Sequence, residues 1–143
     1  MATYMLDTDS VSLALRGEGQ VGTHILERRP SELCISSITL AELRFGAQAR
    51  NSKRLHQLIS SFVASVTVVP FDQSAATKFG FVAAFLKATG TPIGNFDTLL
   101  ASHALALNLV FITNNQKHFR KVPNLQIENW KQSDTFNYFV VAT

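Results

Sequence analysis

Short apolar runs alternate along this chain with stretches whose apolar residues recur at helical spacing, and that alternation predicts the elements. Thr3 to Leu6 reads as a first strand that closes on Asp7. A helix follows from Asp9, with Thr8 or Asp9 as its cap, and Gly17 and Gly19 break it. A second helix runs from about Val21 to Arg28 and stops before Pro30. Leu33-Cys34-Ile35-Ser36 reads as a short buried strand. Ser37 or Thr39 then opens a helix through Ala47. In it Glu42 shares a face with Ile38, lies near Phe45, and so faces inward. Ser52 to Ala64 forms the next helix, with Leu55, Leu58, Ile59 and Phe62 as its core stripe.

The second half repeats the alternation. Val66-Thr67-Val68-Val69 is a β-branched strand ended by Pro70. Asp72 caps a helix from Gln73 to Thr89 that Gly90 ends. Phe96 to Leu107 is an alanine- and leucine-rich helix on which Asp97, Ala101 and Ala104 share a face, so other elements can approach the carboxylate closely. Leu109 to Thr113 is a strongly apolar strand leading into Asn114-Asn115, and a last short strand falls around Leu125-Gln126-Ile127. Strands alternating with helices predict an α/β fold, a mostly parallel sheet covered on both faces. In such a sheet functional groups gather at the carboxyl ends of the strands. Asp7 and Thr113-Asn114-Asn115 sit at such ends, and the helices carrying Glu42 and Asp97 are able to start near the same edge.

Composition narrows the class. The 143 residues are expected to form one domain over residues 1–130. A tail at 131–143 carries Phe136, Tyr138, Phe139 and Val140, which would dock on the domain or on a second subunit. A hydrophobic content of 46% supplies a core and excludes disorder. Cys34 is the single cysteine, which excludes an internal disulfide framework and a cysteine-based zinc site. Its apolar neighbours predict a buried, inert thiol, in keeping with a reducing, cytoplasmic setting. No apolar run reaches the length of a bilayer span, and no basic leader with a cleavage site opens the sequence, so no membrane association is expected.

Asp7, Glu42 and Asp97 each stand where an apolar segment meets a polar turn or helix. Acids beside apolar residues are costly unless paired or bound to a cation, so three in one small domain make a divalent metal site a candidate. The net charge is only +3, but basic residues cluster at Arg44, Arg50, Lys53 and Arg54 and again at Lys117, His118, Arg120 and Lys121. Either cluster alone reads as a solvated face; beside an acidic metal site they point to a polyanionic substrate, nucleic acid above all. His103 is expected to be structural, His56 and His118 to lie on the surface, and His24 has no partner motif.

Four segments, in order, carry a resemblance to the PIN-domain ribonucleases and, within them, to the VapC toxins of bacterial toxin–antitoxin pairs. They are Tyr4-Met5-Leu6-Asp7-Thr8-Asp9, then Ser37 through Gly46 around Glu42, then Gly90-Thr91-Pro92-Ile93-Gly94-Asn95-Phe96-Asp97. The last is Thr113-Asn114-Asn115 with Phe119, Val122, Pro123 and Glu128-Asn129-Trp130. The resemblance implies a PIN-like three-layer α/β/α sandwich of about five strands. It also implies an endoribonuclease dependent on Mg²⁺, with Mn²⁺ as an alternative, that inhibits translation. Asp7, Glu42 and Asp97 match the family's metal-binding carboxylates. A further aspartate that the family often carries corresponds to Asn115 here, and Asp9 stands where the family usually has asparagine, either restoring charge near the metal or capping a helix.

The expected reaction is hydrolysis of a phosphodiester by water. Thr8, Thr113 and Asn114 would hold ligands or waters, unless their chemistry is that of turns and caps. Arg44, Lys53, Arg54, Lys117, Arg120 and Lys121 would contact phosphates, Arg44 foremost because it lies two residues from Glu42. The resemblance further implies a structured RNA substrate such as tRNA, a cognate VapB-like antitoxin whose arginine or lysine enters the acidic pocket, and a homodimer. The alternatives are an RNA-processing or DNA nuclease, a non-catalytic or weakly active RNA-binding module, and a purely structural role for the acids.

Overall fold

Residues 2–131 are described by a computed structural model of the chain. The five strands are β1 (Tyr4–Leu6), β2 (Leu33–Ser36), β3 (Thr67–Val69), β4 (Val110–Ile112) and β5 (Ile127–Glu128). The helices are α1 (Thr8–Arg16), α2 (Val21–Leu26), α3 (Ser37–Ala49), α4 (Lys53–Val63), α5 (Gln73–Ala88), α6 (Asn95–Ala106) and α7 (Gln116–Phe119). The strands pair in the order β3-β2-β1-β4-β5, all in parallel. The central strand β1 thus ends beside both β2 and β4, with Met5 opposite Cys34 and Phe111.

The period-2 geometry of a strand divides the core into two layers. Met5, Cys34 and Phe111 point to one face, where Val82 and Leu86 of α5, Leu100, Ala101 and Ala104 of α6, and Phe119 of α7 cover them. Leu6, Ile35 and Ile112 point to the other, against Val11 and Leu13 of α1, Val21 of α2, Leu43 and Ala47 of α3, and Ile59 of α4. The result is the three-layer α/β/α sandwich. Strands this short are stable because both faces are buried, each large side chain contributing about 1.5–3 kcal/mol. Burial pushes the Cys34 thiol up to about 12, so it is unreactive.

Several boundaries differ from the sequence expectation. Helix α1 begins at Thr8, and its cap is Asp7, not Thr8 or Asp9: the Asp7 carboxylate accepts the Ser10 N–H at 2.8 Å. Helix α2 stops at Leu26. β5 falls on Ile127–Glu128, slightly later than expected, and α7 was not foreseen, being a single turn too short to leave a periodic signal. Phe45, placed near an inward face, is 74% exposed. Of the 131–143 tail, residues 132–143 lie outside the described residues, and with them the expected docking of Phe136, Tyr138, Phe139 and Val140.

Trp130 closes the second core layer. It is 2% exposed, meets Tyr4 edge-on at 5.1 Å, stacks on His24 at 5.2 Å and lies under the Arg28 guanidinium at 4.2 Å. Its indole N–H donates to Glu128 Oε1 at 3.0 Å. His24, without a partner in the sequence reading, is therefore a buried wall of this cluster. Trp130→Ala is expected to cost about 3–5 kcal/mol, read as a lower urea midpoint at unchanged slope. A change below about 1 kcal/mol would show that this cluster lies outside the cooperative core.

Candidate functional site

Asp7 follows β1 directly and is 4% exposed. Its carboxylate is committed to the start of α1, which explains how an acid is tolerated at the end of a central strand. Thr113, fully buried after β4, lies beneath it. Burial pushes the Asp7 carboxyl up to about 6. The Thr113 hydroxyl, the Ser10 N–H and the Ser10 hydroxyl oppose the rise, and the charge of Asp9 adds to it.

Glu42 comes from the second turn of α3, a helix capped by Ser36 Oγ accepting the Ile38 N–H at 3.0 Å. The Thr8 hydroxyl donates to Glu42 Oε1 at 2.6 Å and lies 3.3 Å from Thr39 Oγ1. Asp97 stands in the first turn of α6, delivered by Gly94 at φ +93°, a backbone state that favours glycine. Its Oδ2 lies 2.9 Å from His118 Nε2. Burial first raises the carboxyl pKa of both Glu42 and Asp97. Thr8 opposes the rise for Glu42, and His118 opposes it for Asp97. Asp97 and Asp9 raise Glu42 further, and Asp9 raises Asp97. The acids therefore feel one another across a shared space.

That space is a cavity of about 80 Å³ lined by Asp7, Thr8, Asp9, Glu42, Asp97 and Asn115, with Leu100 and Phe119 as its apolar wall. Among the described residues, no three acidic, histidine or cysteine side chains are already gathered into a group that could hold a metal ion. Glu42 and Asp97 are instead engaged by Thr8 and His118. The donor set nonetheless fits a hard divalent cation: carboxylate oxygens, one amide, and mutual repulsion that a cation would relieve. Asp9 does not cap α1, so its exposed carboxylate adds charge to this cavity, which the neutral Asn115 also lines.

A second cavity of about 550 Å³ shares Thr8, Asp9 and Glu42 with the first and runs between α1, α3 and α4. Leu13, Leu15, Leu43, Leu55 and Leu58 line it, with Arg16, Arg50, Lys131 and Asn114 also around it. Of the basic residues singled out in the sequence, Arg50 lines the larger cavity, and Arg44, Lys53, Arg54, Lys117, His118, Arg120 and Lys121 line neither. Arg44 donates to the His56 carbonyl, to His56 Nδ1 and to Ser60 Oγ, each at 3.0 Å, and so clamps α3 to α4. Two residues along a helix is more than half a turn, which puts Arg44 on a different side from Glu42. Lys53, Arg54, Lys117, Arg120 and Lys121 are exposed. The sequence points to Arg50 only as a member of a basic cluster, places His118 on the surface, and gives no sign of Arg16 and Lys131 as groove residues. No local pattern marks them, since only the packing of helices distant in sequence brings them to the site.

Between about pH 4 and pH 6 the folded state keeps a proton on Asp7 that the unfolded chain has released. This group's stability contribution is fully present below about pH 4 and is lost as pH rises through about 6. In EDTA at about pH 7.5, Asp7→Asn, which keeps a cap acceptor and removes the buried charge, should be the more stable protein by at most about 3 kcal/mol. The gap should close near pH 4. Equal melting temperatures at both pH values would show that the charge carries no such cost.

The PIN domain family model matches residues 4–125. The tRNA(fMet)-specific endonuclease VapC of Salmonella typhimurium is 36% identical over 134 residues, covering 91% of this chain and 99% of that protein. The ribonuclease VapC2 of Rickettsia felis is 35% identical over 130 residues, covering 89% and 97%. Among solved structures, the DNA-bound VapBC complex of Salmonella typhimurium superposes with a TM-score of 0.86 at 34% identity, covering 91% of this chain and 99% of the matched one. With the strand order, the acidic cavity and these matches together, the chain belongs to the PIN-domain family, within its VapC branch.

Proposed function

We propose that this chain is a metal-dependent endoribonuclease toxin that cleaves structured RNA, of the tRNA class named for its relatives, and that a cognate antitoxin silences it. The observation that carries this reading is the convergence of Asp7, Asp9, Glu42 and Asp97 on one small cavity at the carboxyl edge of a parallel sheet. Asp7, Glu42 and Asp97 would hold a Mg²⁺ or Mn²⁺ ion, with Asn115 as a neutral oxygen donor. When bound, the ion supplies charge stabilisation at the scissile phosphate and an acidified water.

The chain's own residues do the rest. Thr8 orients Glu42, and Thr113 and Ser10 hold Asp7. Arg50, Arg16 and Lys131 line the groove that opens from the acids and meet phosphates of the substrate strand. Lys53, Arg54, Lys117, Arg120 and Lys121 add positive field outside it, and Arg44 serves as a clamp between helices.

The same groove suits the antitoxin. An apolar segment laid on Leu13, Leu43, Leu55 and Leu58 would place an adjacent arginine or lysine among the acids. A homodimer is supported by Phe45, Phe81 and Phe96, which are 74%, 71% and 56% exposed. The described residues contain no helix long and apolar enough to cross a membrane. Asn115 in the cavity favours, as the second reading, a weakly active RNA-binding module.

Incubated with total RNA, the purified protein should produce discrete cuts with Mg²⁺ or Mn²⁺ and none in EDTA. Asp7→Asn, Glu42→Gln and Asp97→Asn should each lose about 100-fold or more in rate. No cleavage by folded, antitoxin-free protein with either metal would favour the binding module. Arg50→Ala should weaken RNA binding across sequences and lower the salt slope by about one, whereas Arg44→Ala should leave the slope unchanged and lower stability. The opposite pattern would return the phosphate contact to Arg44.

A further inference from the structure

His118 lies on a helix of only one turn, yet it reaches Asp97, one of the carboxylates that line the acidic cavity. Its Nε2 is 2.9 Å from Asp97 Oδ2 and 2.7 Å from the Ile93 carbonyl oxygen. Both neighbours are acceptors, so Nε2 carries the proton and shares it between them. The ring is backed by Phe119, edge-on at 5.4 Å, and Phe119 packs on Phe111 of β4 at 4.8 Å. An unbroken line of contacts therefore runs from the central sheet through α7 to Asp97.

The place of that contact matters. Asp97 belongs to the first turn of α6, and the N-cap of α6, Gly94, has no side chain with which to cap it. The turn is steadied from within by Thr98, whose hydroxyl donates to the Gly94 carbonyl at 2.6 Å. From outside, one imidazole N–H meets both the backbone just before Gly94 and the carboxylate three residues after it. The Asp97 side chain is 39% exposed, so without a partner it is free to sample several rotamers.

We propose that His118 is a positioning residue for Asp97: by engaging Oδ2 and the Ile93 carbonyl together, it fixes the rotamer and the turn so that Asp97 offers a single oxygen to the cation. This rests on the cation reading given above. A carboxylate prearranged to bind through one oxygen matches the octahedral demand of Mg²⁺. Donors to a ligating carboxylate commonly set metal affinity by 10–100-fold.

Substitution separates the N–H from the ring. His118→Gln places an amide N–H close to the position of Nε2 but has no ring. His118→Phe keeps the ring against Phe119 and has no N–H, and the amide of His118→Asn falls short of Asp97. Mn²⁺ titrations by calorimetry, with circular dichroism and melting to establish the fold, read the result without any activity assay. His118→Gln should bind Mn²⁺ within about threefold of the parent, and His118→Phe and His118→Asn about tenfold more weakly or worse. The Gln and Asn pair alone decides the matter if the Phe variant does not fold. Parent-like binding by the Asn or Phe variant, or equal loss in Gln and Asn, overturns the proposal while leaving the cation reading intact. A parent protein that takes up no Mn²⁺ overturns both.

Discussion

Everything at this site depends on keeping an acid at the carboxyl end of the central strand. Asp7 is 4% exposed and sits among apolar strand residues. A lone buried carboxylate costs several kcal/mol or takes up a proton. Its tenancy is explained by a second job: it caps α1 through the Ser10 N–H, with Thr113 beneath it. The fold thus obtains a helix start and a carboxylate lining the cavity from one residue, and the direction of α1 is tied to the position of the acid. Because β1 is central, any displacement of Asp7 is felt by β2 and β4 on either side.

Glu42 and Asp97 are held by a hydroxyl and an imidazole donor, not by a guanidinium or ammonium group. Glu42 is met by Thr8 and Asp97 by His118. A guanidinium in those places would satisfy the carboxylates and compete with a cation. Weak, directional donors leave the charge available and hold the oxygens in place. The energetic tension is visible in the raised carboxyl values of Asp7, Glu42 and Asp97 and in the repulsion each receives from Asp9. A bound cation would relieve that tension, and so would the basic side chain of an inhibitory partner. On the proposed function, the same physical demand would account for activation by a cation and for silencing by a partner.

The groove beside the acids combines a leucine lining with basic residues at Arg16, Arg50 and Lys131. Phosphates and an amphipathic peptide would compete for this surface. The two proposed roles of the groove would therefore converge on one set of side chains, and changes that weaken one occupant would in general weaken the other.

Sequence alone determined what is local. Alternating apolar runs and β-branched segments established the strands. Asp72 and Ser52 marked helix starts, and both do accept a backbone N–H there. The order of motifs singled out Asp7, Glu42 and Asp97, because acids interrupting apolar runs are rare enough to be noticed. Tertiary structure decided what depends on distance in space. It gave the cap of α1 to Asp7 and so freed Asp9 for the cavity. It turned Arg44 toward α4, because residues two apart on a helix do not share a face. It brought His118 within 2.9 Å of Asp97, a pairing between residues 21 positions apart that no periodicity encodes. Spacing along a chain reports which face a side chain occupies on its own element; which face meets which is set by the packing of the two core layers, and only the folded molecule contains that information.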